Sequence, residues 1–438
     1  MSIHSQMSEV EATRPVLATA PLKAGFDRRQ LSTYGDDRWD LSPAVFRNNA
    51  RRCHLTVDFS IIHDLQQART LRQFLYARLN FDIPGTRSRL RPDAVRQAFN
   101  RARCFLDFVR AHCGACDLNL VDQSLLDAYR LHLQSTGNRQ AEQVGMLLET
   151  VIDLHHYRHH LPDGGLFVSP WHGRFASLVA GVRQSHENKT PRIPEQIIGP
   201  LVRWSLKYIT AFASDILAAR TELSALQARC QALLAEDEPR ESAERSKRRI
   251  CRVAAFIEQR RSSGRGLPYW STTPASLRRP GARGAGSPSI NYHLIRLHAG
   301  TRHTSLISQN AVIERMISSA AQEMGIEIGG LDAPISCDPD TGLAWRSRFD
   351  AQTLVTEERM LQTACYILCA YLTGMRDCEV QAMNAGCLSI SRSEDGLIER
   401  YRIKSTAYKG RPSTGETQEW VAIEPVAKAL TILERLTA

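Results

Sequence analysis

The stretch TACYILCAYLTGMRDCEVQAM, residues 363–383, runs as an apolar helical pattern, stops at Thr373-Gly374, places one arginine, Arg376, in the break and restarts on acidic residues. Leu361, Ala364, Leu368 and Leu372 recur every three or four residues, the spacing of one helix face. Upstream, Thr356 stands where its hydroxyl can cap this helix, with Glu357 and Glu358 in the first turn near the positive end of the dipole. Beyond Gly374 a short helix is expected through Glu379, Val380 and Met383. Two strand-like pieces follow, LIERYRIKSTAYKG (397–410) and TQEWVAIEP (417–425), joined by RPSTGE, which has turn chemistry. A last helix, PVAKALTILERL, carries Pro425 in its first turn.

Working outward, residues 91–114 (RPDAVRQAFNRARCFLDFVRAHCG) predict a helix entered at Pro92-Asp93 and closed at Gly114, with Val95, Phe99, Ala102, Leu106 and Val109 near one face. A second helix is capped by Asp122 and stopped at Gly137, and a third, from Arg139, is closed by Pro162 and Gly164-Gly165. Short connections between amphipathic helices predict a compact helical domain. From Pro200 to Glu238 the sequence reads as one long helix whose face includes Leu201, Trp204, Tyr208, Phe212 and Ile216. Residues 240–290 read as a mobile basic insertion, ending in the Gly- and Ser-rich stretch 262–289. The expected division is an N-terminal extension (1–70), a helical domain (71–190), a helix with its extension (191–239), a partly flexible basic insertion (240–345) and a final domain (346–438). The fold class expected is mainly α with a small antiparallel β hairpin, α+β.

The 438 residues carry a formal charge of +10, and 49 of the 56 basic residues are arginines. Planar guanidinium forks suit phosphate, while a bias of base composition would also enrich arginine. No run of eighteen or more apolar residues occurs and no secretory leader is legible, so a cytoplasmic location without membrane contact is expected. The eleven cysteines are scattered, several within apolar helical patterns, so no disulfide framework is implied.

The order apolar helix, Thr-Gly-Met-Arg, x-x-Glu, short helix, two strands with a lysine between them, then a helix resembles the first half of the catalytic domain of the tyrosine recombinase (phage integrase) family. The resemblance implies that Arg376 corresponds to the first active-site arginine and Glu379 to the acidic residue that holds it. It implies Lys409, in Tyr408-Lys409-Gly410, as the hairpin lysine, with Lys404 as the second candidate. Trp420-Val421 opens the return strand as in larger members. Residues 71–165 look like the domain that grips the far side of the duplex, and the helix from Ile193 like the first helix of the catalytic domain. The implied partner is double-stranded DNA, with the assembly state left open between a homo-oligomer and association with a full-length recombinase; no metal or nucleotide cofactor is implied. The chemistry is attack by a tyrosine on a phosphodiester, an arginine fork meeting the non-bridging oxygens and a lysine protonating the departing 5′-oxygen.

The sequence departs from that pattern after Arg376. No histidine follows His303, and the later tyrosines, Tyr401 and Tyr408, fall in the predicted hairpin. The expectation is a truncated recombinase that does not cut DNA by itself. The alternative is a non-catalytic helical module that binds DNA or a partner.

Two further clusters bear on function. Arg245, Lys247, Arg248 and Arg249, with Arg252, form a basic run that can follow phosphate backbone or be the solvated face of a helix packed through Ile250, Val253 and Phe256. Cys113 and Cys116 with His155, His156, His159 and His160 could suggest zinc, but their spacing is not finger-like, and a helix end with core thiols accounts for them; no metal site is expected.

Overall fold

The computed structural model describes residues 12–162, 164–183, 191–271, 289–394 and 399–437. It is mostly helical (56%) with small sheets of two or three strands. Two compact units divide the chain: the first holds residues up to Arg192 with 377–383 and 405–418, the second residues 193–376, 384–404 and 419–438.

In the first unit, strands β1 (Arg38–Asp40) and β2 (Thr56–Asp58) pair antiparallel, and helices α1 (Leu65–Asn80), α2 (Val95–Cys113), α3 (Gln123–Ser135), α4 (Ala141–His156) and the single turn α5 (Ala176–Val179) follow. The local signals explain the helix ends. The Asp64 and Asp122 carboxylates accept from the amides of Gln67 and Leu125, and Gly114 closes α2 in the left-handed conformation at φ 74°. Val95, Phe99, Ala102, Leu106 and Val109, the predicted face of α2, are all fully buried. Helix α2 packs on α1 and α4.

Of the expected loose extension, the described residues 12–70 are structured. Val16, Leu17, Trp39, Leu41, Val57 and Phe59 are buried in the same core as α1–α4. Trp39 and Phe59 meet edge-on with centroids 4.8 Å apart, and Phe59 meets Phe99 at 5.5 Å. Asn80, at the end of α1, donates to the Val16 carbonyl at 3.0 Å and accepts from the Thr19 amide at 3.3 Å, which ties the leading segment to the helices. These apolar residues lie on short strands and turns, so no helical period reveals them.

The second unit opens with α6 (Glu195–Lys207), a π turn (Tyr208–Phe212) and α7 (Ala213–Asp237). The single long helix expected from Pro200 thus starts earlier and contains a π bulge. The buried face shifts at the bulge: Leu201 and Trp204 before it are exposed, whereas Phe212 at its end and Ile216 beyond it are buried. Next come α8 (Ser242–Ser262), β3 (Leu267–Tyr269), α9 (Tyr292–Ala299), α10 (Ser305–Ser308), α11 (Ala311–Met324) and β4 (Ile326–Ile328), with β3 and β4 parallel. The expected mobile insertion is therefore packed structure over much of its length: Val253, Phe256, Ile257, Ile295, Ile313 and Ile317 share one core. Residues 272–288, most of the Gly- and Ser-rich stretch, lie outside the described residues.

Helix α12 (Ala351–Thr373) carries the opening stretch and packs against α6, α7 and α14 (Glu424–Thr437). Its cap is Asp350 rather than Thr356. The Asp350 carboxylate accepts from the amides of Gln352 and Thr353 while Thr353 Oγ1 accepts from the Asp350 amide, and the Thr356 hydroxyl donates within the helix to the Gln352 carbonyl. Glu357 and Glu358, placed inside the helix by this earlier start, pair with Arg346 at 2.9 Å and Arg220 at 3.2 Å.

After the single turn α13 (Asp377–Val380), strands β5 (Leu388–Arg392), β6 (Glu399–Ala407) and β7 (Glu416–Ala422) form one sheet in that order, β5 running antiparallel to β6 from Leu388↔Ile403 to Arg392↔Glu399. The expected two-stranded hairpin is thus part of a three-stranded sheet, the extra strand being Leu388–Arg392.

Candidate nucleic-acid interface

Arg376 belongs to the second unit. Helix α12 ends at Gly374, held at φ 68°. Thr373 Oγ1 donates to the Cys369 carbonyl at 2.5 Å and accepts from the Met375 amide at 3.1 Å, and the Met375 side chain is buried. The backbone is therefore fixed on both sides of a side chain that is itself exposed.

Glu379 and Lys409 belong to the first unit. Asn49 donates to the Asp377 carboxylate at 2.9 Å and Asn48 to the Gln381 carbonyl at 3.1 Å, bracketing α13. Glu379 is buried, only 2% exposed, and its carbonyl accepts from the Ser405 hydroxyl at 2.6 Å. The Tyr408 ring packs with Cys378, Ala382 and Phe46; its hydroxyl donates to the Phe46 carbonyl at 3.3 Å, and Arg91 Nη1 donates to its carbonyl at 3.3 Å. Tyr408 thus anchors the turn on which Lys409 stands exposed, followed by Gly410 at φ 73°.

The two candidate lysines sit in different surroundings. Lys404, on β6 in the second unit, lies 3.7 Å from Glu419, which also pairs with Arg402 at 3.2 Å. Lys409 has no ion-pair partner among the described residues, so its ammonium is open to an incoming anion. The tyrosines that follow Arg376 are both engaged. Tyr401 donates to Glu399 at 2.5 Å, a bond that raises its phenol above the ordinary range, and burial pushes the Tyr408 phenol up.

The basic run on α8 divides. Arg248 pairs with Glu236 at 2.9 Å and Glu244 at 3.4 Å, Arg252 binds Asp237 with both terminal nitrogens at 2.6 and 3.2 Å, and Arg249 donates to the Leu306 carbonyl at 3.3 Å. Arg245 and Lys247 are exposed, while Val253 and Phe256 on the same helix are core. Of the four residues expected to meet DNA, two therefore serve contacts inside the protein. Their partners are supplied by the end of α7, by α8 itself one turn earlier and by α10.

Around Cys113 and Cys116 the helix-end reading accounts for the side chains. Cys116 is buried, which pushes its thiol up to about 12; His155 Nδ1 lies 2.9 Å from the Leu166 carbonyl; and His160 stacks on Phe81 at 4.7 Å. Among the described residues no group of three or more His, Cys, Asp or Glu side chains is placed to hold a metal ion.

No family model matches the chain, and no curated protein or solved structure matches it. Sequence reasoning missed the anchoring set Phe46, Asn48, Asn49 and Arg91. They lie more than three hundred residues from their partners near Asp377 and Tyr408, and no local pattern links such distant positions.

Proposed function

We propose that this chain is a duplex-DNA-binding protein of the tyrosine recombinase type, acting in site-specific recombination or integration. One observation carries the reading: Arg376 is an exposed guanidinium on a backbone fixed by the Thr373 hydroxyl and the buried Met375. A fixed arginine fork can meet two non-bridging oxygens of a phosphodiester at once, which a loosely held side chain does less well. In this reading Arg376 grips phosphate, Glu379 supports its segment and Lys409, open to solvent, is the hairpin lysine in preference to Lys404. Strand cleavage is not assigned to this chain, because the tyrosines that follow Arg376, Tyr401 and Tyr408, both lie in or directly after strand β6 and no histidine follows His303. Arg245 and Lys247 add sequence-independent contact with the backbone.

The deciding experiment is duplex-DNA binding by the full chain across a salt series, beside Arg376→Ala. Tight binding with a steep salt dependence is expected, its log-log slope falling by roughly 0.9 in the variant if one phosphate contact is lost. No covalent protein–DNA adduct is expected. Absence of binding at low salt would overturn the reading. The second reading, a partner-binding module, would then be favoured by the exposed apolar row Ile193, Ile197, Leu201 and Trp204 at the start of the second unit.

A further inference from the structure

In the first unit, the turn anchored by Tyr408 and the segment leading into α2 enclose a cleft of about 310 Å³, whose polar lining includes Asp82, Ser88, Arg89, Arg91, Arg411 and Ser413. The lining thus brings together three arginines and one aspartate, and Asp93 and Glu416 lie within ion-pair range of Arg91 and Arg411 from outside it. Each arginine is only partly committed. Arg89 Nε holds Asp82 at 3.0 Å, and Arg411 Nη1 holds Glu416 at 3.2 Å. Arg91 Nη1 holds the Tyr408 carbonyl at 3.3 Å, while its buried Nε has no hydrogen-bond partner and lies 3.5 Å from Asp93. A guanidinium has five N–H donors, so these contacts leave most of them unused.

We propose that this cleft binds a backbone phosphate of duplex DNA. The site rests on the DNA reading above and adds to it a second contact point, independent of Arg376. Several forks that converge beside the Ser88 and Ser413 hydroxyls suit a tetrahedral oxyanion, which can accept from all of them at once. Arg411 comes from the turn after β6, and Arg89 and Arg91 from the segment before α2. A phosphate seated among them would tie these distant parts of the first unit together beside Lys409.

The test uses the full chain in two parallel measurements. Duplex binding is followed across salt for the unsubstituted protein, Arg411→Gln, Arg411→Lys and the triple variant Arg89→Gln/Arg91→Gln/Arg411→Gln. Arginine-selective dicarbonyl labelling, read by mass spectrometry, is compared with duplex DNA, a mononucleotide, inorganic phosphate or no addition. The proposal expects Arg411→Gln to lower the salt slope by roughly 0.9, Arg411→Lys to retain the slope, and the triple variant to lose tenfold or more in affinity. It also expects duplex to protect Arg89, Arg91 and Arg411 from labelling. Because Arg411 is an exposed turn residue, Arg411→Gln decides the matter even if the triple variant does not fold.

Undiminished duplex binding and slope in Arg411→Gln, with all three arginines labelled equally with and without duplex, would overturn the cleft and leave the DNA reading standing. Protection by mononucleotide or inorganic phosphate, with none by duplex, would overturn the nucleic-acid assignment. No duplex binding by any form, with no protection, would overturn both proposals.

Discussion

Gly374 shows how much a single residue fixes around Arg376. Its φ of 68° is a conformation that side-chain-bearing residues adopt at a cost, and a Cβ added there would meet no atom within 4 Å. Gly374→Ala is therefore expected to destabilise by backbone strain alone, about 1 kcal/mol, read as a lower denaturant midpoint with unchanged slope. Gly374→Asn should cost less, since asparagine visits the left-handed region more readily. The glycine and the arginine after it were legible in the sequence because both belong to a local pattern of helix, stop and restart. The cap of the same helix was misread. Both Asp350 and Thr356 are residues that cap well, and the choice between them depends on where the preceding backbone turns, a property of the fold.

At the scale of elements, α1 and α4 are joined by ionic contacts that no periodicity announces. Asp153, on α4, lies 3.3 Å from Arg78 of α1 and 2.6 Å from Arg87 Nε. Arg78 also donates to the Ser88 carbonyl at 3.0 Å and to the Tyr157 hydroxyl at 3.3 Å. Both Arg78 and Asp153 are more than nine-tenths buried. Asp153→Ala leaves the Arg78 charge buried without its counterion and is expected to cost about 3–5 kcal/mol. Denaturant unfolding followed by the fluorescence of Trp39 and Trp171, both in the first-unit core, measures it. Asp153→Asn, which keeps hydrogen-bond acceptance, should cost less. The helices α2 and α3 were legible from their spacing and caps, whereas α4 ends at His156, short of the stop expected at Pro162. The extra strand β5 was not, because five residues with one partner strand carry too short an alternation to stand out.

At the scale of the whole molecule, the second unit holds a pH-sensitive element. His298 on α9 lies against Phe256 with ring centroids 4.5 Å apart, and burial, with Arg229 and Arg260 nearby, lowers its pKa from 6.5 to about 4. The native state therefore favours the neutral ring, while the unfolded chain takes up a proton near pH 6.5. The stabilisation is fully present above that pH and is lost progressively as pH falls toward 4, to a limit of roughly 3 kcal/mol. Thermal unfolding between pH 7 and pH 4 should show this decline, and His298→Leu should flatten it. The first unit depends on returning chain: residues 377–383 and 405–418 belong to it although they lie far beyond Arg192 in sequence.

By itself the sequence determined the helical class, the ends of α2 and α3, the break at Gly374 and the place of the arginine after it. Each of these is set by backbone conformation, capping or hydrophobic period over a few adjacent residues. Tertiary structure alone decided that residues 16–59 join a core, that α8 places Arg248 and Arg249 beside partners within the protein, and that Tyr408 anchors the Lys409 turn. These outcomes depend on contacts between residues tens to hundreds of positions apart. Burial and charge pairing act through space, and local pattern carries no record of which distant segment will arrive.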